Sequence, residues 1–279
     1  MMRKRRHFLS SAAIGIVLLL WTLVPIYHMV IMALTPVSES FAGRVWPEHP
    51  TLDNFIVTLT QGHHFLRNFW QQMFNSAFVA ITVAVFVLAI GTFTSFSISR
   101  LRVKGGRFVA ELALLTYLIP AAFLTIPMYK IMVEYGLVNS RWALILVMVA
   151  FATPYAISVM KQSSDKIPYE LDEAARMDGA SPLQLFRLIY LPLMAPSLVA
   201  IGTYALLLAW NEYLYALVLL SSPTEVTLPV ALGNFLSSDD APWNLLMATG
   251  IVYSLPPVAI YYAFRRYMVG GLTSGAVKG

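Results

Sequence analysis

The chain has no cysteine. That excludes disulfides, thiolate metal sites and cysteine nucleophiles. It is also poor in charge. Only 12% of its 279 residues are charged and 58% are hydrophobic, whereas a soluble domain carries about 25% charged residues. So many apolar side chains cannot all be buried in one aqueous core, and lipid is the natural solvent for much of this surface. Other signatures are missing too. There is no Gly-x-x-x-x-Gly-Lys-Ser/Thr phosphate loop, no His-Glu-x-x-His and no Gly-x-Ser-x-Gly. A membrane enzyme would also need paired intramembrane acids, and none is seen. No period of 20–50 residues repeats.

What is present is a series of long apolar runs. A bilayer crossing needs about 20 mostly apolar residues. Six runs qualify: 10–33, 73–98, 108–128, 142–160, 196–220 and 244–264. The expected fold class is therefore an all-α integral membrane protein with six transmembrane helices. The first run follows Arg3-Lys4-Arg5-Arg6. It is longer than the 7–15 residues of a signal-peptide core, and no clear small-x-small cleavage site follows, so it reads as a retained helix. The expected organisation is a basic N-terminus over 1–9, a transmembrane domain over 10–264 with a polar loop at 161–192, and a tail over 265–279.

The net charge of +5 would fit a nucleic-acid binder, but its distribution points elsewhere. With the N-terminus placed in the cytoplasm, the inside segments hold Arg3 to Arg6, Arg100, Arg102, Lys104, Arg107, Lys161, Lys166, Arg176, Arg187, Arg265, Arg266 and Lys278. Those are 15 of the 19 basic residues. Cytoplasmic loops hold the excess of Lys and Arg. The sequence thus predicts both termini inside, and nucleic-acid binding loses its support. His63-His64, in the long first outside loop, lacks a third ligand at metal spacing and reads as solvated.

The loop "ELDEAARMDGASPLQLFRLIYLP", residues 170–192, stands out as polar and organised between apolar runs. It reads as two short helices. Pro168 suits a first turn, with Glu170, Asp172 and Glu173 near the positive end of the helix dipole. Ile167, Leu171, Ala174, Ala175 and Asp178 share one face at helical spacing. Gly179 is a natural stop. Ser181, Pro182 and Gln184 restart the chain with a capping box. Leu183, Phe186, Ile189 and Tyr190 give the second helix an apolar side, and Pro192 closes it. Two uses fit: an interfacial helix pair, or a docking element for a partner.

The pattern Glu173-Ala174-Ala175, Asp178-Gly179-Ala180, Phe186 and Pro192 resembles the EAA loop of ABC importer permeases. "WNEYL" at 210–214, "TLPVAL" at 227–232, "NSAFVA" and "SISRLRVKG" around the second span, and "YMVGGLTSGAVKG" at the end resemble other segments of the sugar-importing branch, the last that of its maltose-type second permease. The resemblance runs from about residue 50 to the end. Ser95-Phe96-Ser97 and Arg265 depart from that pattern. The resemblance implies a type I ABC importer permease fold in a bacterial cytoplasmic (inner) membrane, paired with a second homologous permease. It implies two ATPase subunits beneath the pair and an extracytoplasmic sugar-binding protein. The eight loop residues would couple to the ATPase. Gly275, Val277, Lys278 and Gly279 of the tail would contact it. ATP and Mg2+ would sit on the partner ATPase, with no cofactor on this chain.

Other residues stay open at this level. Glu212, beside Asn211 and Trp210, is an intramembrane carboxylate and a functional candidate by default. It would line a translocation path, bond another helix or pair with a partner subunit. Trp210 would stack on a sugar or simply pack. Prolines at 25, 120, 127, 154, 256 and 257 kink spans. Thr92, Thr94, Ser95, Ser97 and Ser99 make the inner half of the second span polar, so that half should face protein or pore. A stand-alone secondary transporter or channel is the competing class. It would need its own coupling site, for which Glu212 is the convincing carboxylate, and inverted repeats are not apparent.

Overall fold

In the computed structural model, which describes residues 2–40, 43–236 and 241–273, the described residues form helices and no strands. The helices are α1 (Met2–Leu34), α2 (Asp53–Thr60), α3 (Phe69–Ser99), α4 (Gly106–Leu114), α5 (Thr125–Glu134), α6 (Arg141–Ser164), α7 (Glu170–Met177), α8 (Pro182–Gln184), α9 (Leu191–Trp210), α10 (Leu214–Leu219), α11 (Leu228–Phe235) and α12 (Trp243–Thr273). Five helices are long and apolar enough to cross a membrane, and a bent pair, Gly106–Leu118 with Ala121–Glu134, makes up to six. The tail residues Gly275, Val277, Lys278 and Gly279 lie outside the described residues.

The chain divides into two compact units. The described residues up to Phe69 join those of Ala231–Leu255 in one, and Trp70–Val230 joins the residues from Pro256 onward in the other. In the first unit, the carbonyls that α1 leaves unpaired at its C-terminal end are met by two buried asparagines. Asn54 Nδ2 donates to Ala33 O and Thr35 O, and Asn244 Nδ2 donates to Thr35 O at 2.5 Å. In the second unit, α6 packs against α9. Both carry fully or nearly fully buried alanines, Ala152 and Ala156 in α6 and Ala205 and Ala209 in α9, and Ala156 lies against Gly91 of α3. Small side chains let helix backbones approach closely where lipid supplies no hydrophobic drive.

Two sequence expectations are corrected here and one is sharpened. The third run, with a proline expected to kink it at 120, is broken there, and its two halves meet at 94°. Ile119 and Pro120 are both extended at the break. A proline pushes the residue before it out of the helical region, and it has no N–H to continue the ladder. The fifth span does not run 196–220. Its apolar helix is Pro182–Trp210, and the chain turns at 211–213 before α10. Nor does Pro192 close a helix. The chain passes from α8 through a π-helical turn, Leu185–Tyr190, straight into α9, with Pro192 in the first turn of α9. The wider π register at that junction allows a residue without an N–H to be carried through.

Candidate functional site

The polar loop begins where α6 ends. Lys161 Nζ donates to Asp165 Oδ2 at 2.7 Å and staples the helix end. Burial pushes the Asp165 carboxyl up, but hydrogen bonds from Lys161 and Ser99 and the nearby cations outweigh it and hold the group below its usual value. The first loop helix, α7, starts at Glu170 with Tyr169 as its N-cap residue. Tyr169 O accepts from the N–H groups of both Asp172 and Glu173. Pro168 thus stands just outside the helix, not in its first turn. A proline needs no N–H partner in either place, so the sequence did not separate the two.

The orientation of α7 also differs from the shared-face reading. Leu171 is 43% exposed, whereas Asp172 is 4% exposed. A buried cation decides this. Arg100, at the end of α3, is itself 3% exposed. Its Nη1 donates to Asp172 Oδ2 at 3.2 Å, and its Nη2 donates to Ser164 O at 2.6 Å and Ile167 O at 2.9 Å. The Tyr169 hydroxyl donates to Ser99 O, and its ring lies under the guanidinium groups of Arg100 and Arg102. Arg176 Nη2 approaches Arg100 O at 3.4 Å. One buried side chain therefore ties the end of α3, the end of α6 and the first turn of α7. A cavity of about 390 Å3 opens beside it, lined by Arg102, Glu173 and Arg176 among others.

Turned inward at Asp172, α7 presents Leu171, Glu173, Ala174, Met177 and Asp178 outward, with Met177 88% exposed and Ala175 half-buried. Gly179 has φ +80°. Its N–H donates to Arg176 O and that of Ala180 donates to Ala175 O, the paired bonds of a Schellman stop. Ser181 and Gln184 form the expected capping box, side chain to backbone in both directions. The inward side of the next turn is Leu185, Phe186 and Tyr190, while Leu183 is 55% exposed. The π-helical winding shifts the face from the one that α-helical spacing gives. Phe186 stacks on Phe93 and meets Phe96 edge-on, each with ring centroids 5.0 Å apart. Tyr190 Oη and Ser95 Oγ are 2.8 Å apart. Thr92, Ser95 and Ser99 are buried, so the polar half of the second span faces protein, as expected.

The Trp210, Asn211 and Glu212 group is split. The Trp210 ring is 3% exposed and buried in protein. Asn211 Nδ2 folds back onto Leu207 O, and Glu212 Oε1 accepts from Tyr215 N in the first turn of α10. These bonds end one helix and start the next, so Glu212 sits at a helix break and not within a helix. His63 Nδ1 accepts from Phe65 N as an N-cap. Among the described residues, those at metal-ligand spacing are Glu39, Glu48 and His49 instead, already bonded to one another and to Arg44.

The arrangement is that of a multi-pass helical membrane protein with one exposed polar helix tied to the ends of two spans. The chain belongs to the binding-protein-dependent transport system inner membrane component family, whose model matches residues 88–273. It is 33% identical to the trehalose transport system permease protein of Mycobacterium tuberculosis over 93% of each chain. It is 31% identical to the diacetylchitobiose uptake system permease protein of Streptomyces coelicolor over 95% of each. A crystal structure of a bacterial ABC transporter involved in alginate import shares the fold, with a TM-score of 0.79 at 24% identity over 94% of this chain and 96% of that one. The type I ABC importer permease fold expected from the sequence is thereby met.

Proposed function

We propose that this chain is one permease subunit of an ATP-driven importer that moves a sugar, whether an oligosaccharide, disaccharide, glycoside or polyol, across a bacterial cytoplasmic membrane. Its partners are a second homologous permease, two ATPase subunits and an extracytoplasmic sugar-binding protein. ATP and Mg2+ belong to the ATPase, and this chain binds no cofactor and performs no hydrolysis. Both termini are cytoplasmic, which the fifteen inside basic residues support. The sugar class is supported by the trehalose and diacetylchitobiose relatives.

One observation carries the mechanism: the buried Arg100–Asp172 pair that fixes α7 to α3 and α6 while its Glu173–Ala174 side stays exposed. The outward face docks in a groove of the ATPase. Glu173, Ala174, Ala175, Asp178, Gly179 and Ala180 form the docking helix and its stop. Phe186 and the helix running through Pro192 carry the motion into α9, and the tail residues Gly275, Val277, Lys278 and Gly279 meet the ATPase pair. When ATP closes the ATPase dimer, α7 moves as a rigid lever and the spans swing between inward-open and outward-open states. The test is uptake of a radiolabelled disaccharide panel by vesicles holding the complete complex, with ATP inside. Orientation is read from single cysteines. Val45→Cys should react with an impermeant thiol reagent from outside, and Lys104→Cys only after permeabilisation. The reverse pattern, or uptake without the ATPase, defeats the proposal.

A further inference from the structure

We infer that this subunit carries its own sugar-contact site, at the cavity where two broken spans meet. The inference rests on the carbohydrate reading above and adds where, on this chain, a sugar ring is touched. The cavity has a volume of about 220 Å3, and its walls include Tyr117, Phe151, Tyr204, Leu208, Glu212 and Tyr215. All belong to one compact unit.

Two independent features converge there. The first is backbone geometry. The bent pair breaks at Ile119–Pro120, and α9 gives way to α10 at residues 211–213. Irregular backbone at membrane depth is tolerated only where it is buried in protein or lines a polar cavity. Interrupted helices are also where transporters build substrate sites. Tyr215 Oη joins the two breaks by donating to Ala121 O at 2.6 Å, and Tyr117 Oη donates to Phe151 O at 2.5 Å. The Tyr215 hydroxyl thus serves a carbonyl beside the first break, the Tyr117 hydroxyl serves one within α6, and both bonds hold their rings in place.

The second feature is the lining chemistry. Tyr117 offers an exposed ring and Phe151 and Tyr204 partly exposed ones, with the buried Tyr215 ring packed behind Phe151, and a carboxylate offers acceptors. Glu212 uses Oε1 on Tyr215 N, and an ionised carboxylate accepts about four hydrogen bonds in all. A sugar ring has an apolar C–H face for the aromatics and adjacent hydroxyls for the carboxylate. An acyl chain has no use for Glu212; a cation would suit a carboxylate beside ring faces, and the sugar is chosen over it on the carbohydrate reading above. The volume is below the roughly 300 Å3 at which pockets enclose a whole drug-sized ligand. The cavity therefore touches one ring of a passing sugar and does not engulf it.

The experiment uses the complete importer in vesicles with a radiolabelled disaccharide panel that includes trehalose and diacetylchitobiose. If wild type imports no sugar, the carbohydrate reading fails and this inference fails with it. If it does import one, Glu212→Gln keeps the acceptor for Tyr215 N but removes the charge. It should raise KM about ten-fold, the loss of one charge-assisted hydrogen bond, with kcat little changed. Because the chain has no cysteine of its own, Leu208→Cys adds one thiol to this subunit. The imported sugar should slow its modification during turnover at least three-fold, and this measurement decides if the Gln variant fails to assemble. Wild-type KM in Glu212→Gln, or modification of Leu208→Cys at the same rate with and without sugar, overturns the inference and leaves the carbohydrate reading standing.

Discussion

Two regions of the same compact unit solve the problem of a helix end in opposite ways. At the polar loop, the end of α6 is closed by charge: a buried guanidinium at the end of α3 donates to Asp172, Ser164 O and Ile167 O, while the Ser99 carbonyl of α3 itself takes the Tyr169 hydroxyl. At the breaks near Pro120 and Asn211, backbone groups are met by one neutral hydroxyl, that of Tyr215, and one carboxylate, and aromatic rings line the space that remains. Arg100 leaves its buried Nε without a partner, but its two Nη groups bond to partners from two further segments, and separating a buried charge from those partners costs several kcal/mol. The loop is consequently a stiff lever. Aromatic walls bound by single hydroxyl bonds tolerate small displacements, which suits a surface that a substrate slides past. On the proposed mechanism, the first region transmits force and the second meets the substrate.

The comparison breaks most sharply at Arg100. Arg100→Ala strands a buried carboxylate and should cost about 3–5 kcal/mol of stability. Adding Asp172→Leu should recover part of that cost, since the orphaned charge goes with it. Thermal unfolding of the purified complex measures both. Equal stability in the two variants would show that the ion pair is not what holds the lever. Next is Gly179→Val. Nothing lies within 4 Å of a Cβ at Gly179, so the damage is confined to the backbone. A β-branched residue at φ +80° costs about 1–3 kcal/mol. The variant should insert normally, lose sugar uptake and retain less ATPase on co-purification. Wild-type uptake would remove the loop from the coupling path. Glu173→Lys should act in the same direction more mildly. It puts a cation near the positive end of the α7 dipole, worth about 0.3–1 kcal/mol, and reverses the charge of the docking face. Retention should fall several-fold with uptake reduced but present. The smallest effect belongs to the other region. Tyr215→Phe removes the bond to Ala121 O, about 1 kcal/mol, and should change KM a few-fold while ATPase retention stays at the wild-type level. A loss of retention there would erase the distinction between lever and cavity.

Local chemistry made much of this legible in advance. The six apolar runs appear as α1, α3, the bent pair, α6, the Pro182–Trp210 helix and α12. The cap of Ser181 and Gln184 and the left-handed Gly179 were readable because each depends on residues within four positions. The face of α7 was not readable. Helical spacing grouped Leu171 with Ala174 and Ala175, and no local signal set Asp172 above Leu171 for burial. Arg100 itself was counted only among the basic residues of the inside segments. Its position at the end of a span, after a run of buried serines and threonines, was the one available hint. The aromatic cavity was equally hidden, because Tyr117, Phe151, Tyr204 and Tyr215 come from separate segments.

By itself, then, the sequence determined what depends on composition and short range. Hydropathy over about 20 residues sets a membrane helix, missing cysteines exclude thiol chemistry, and turn residues set where short helices start and stop. Tertiary structure decided the rest: the 94° fold of the third run, the passage of Pro192 through a continuous helix, the inward turn of Asp172 and the cavity at Glu212. The physical reason is separation along the chain. Arg100 and Asp172 are 72 residues apart, and Tyr215 and Ala121 are 94 apart. A buried charge or a freed carbonyl must take its partner from whatever the fold brings near, so its solution is written in space and not in the neighbouring residues.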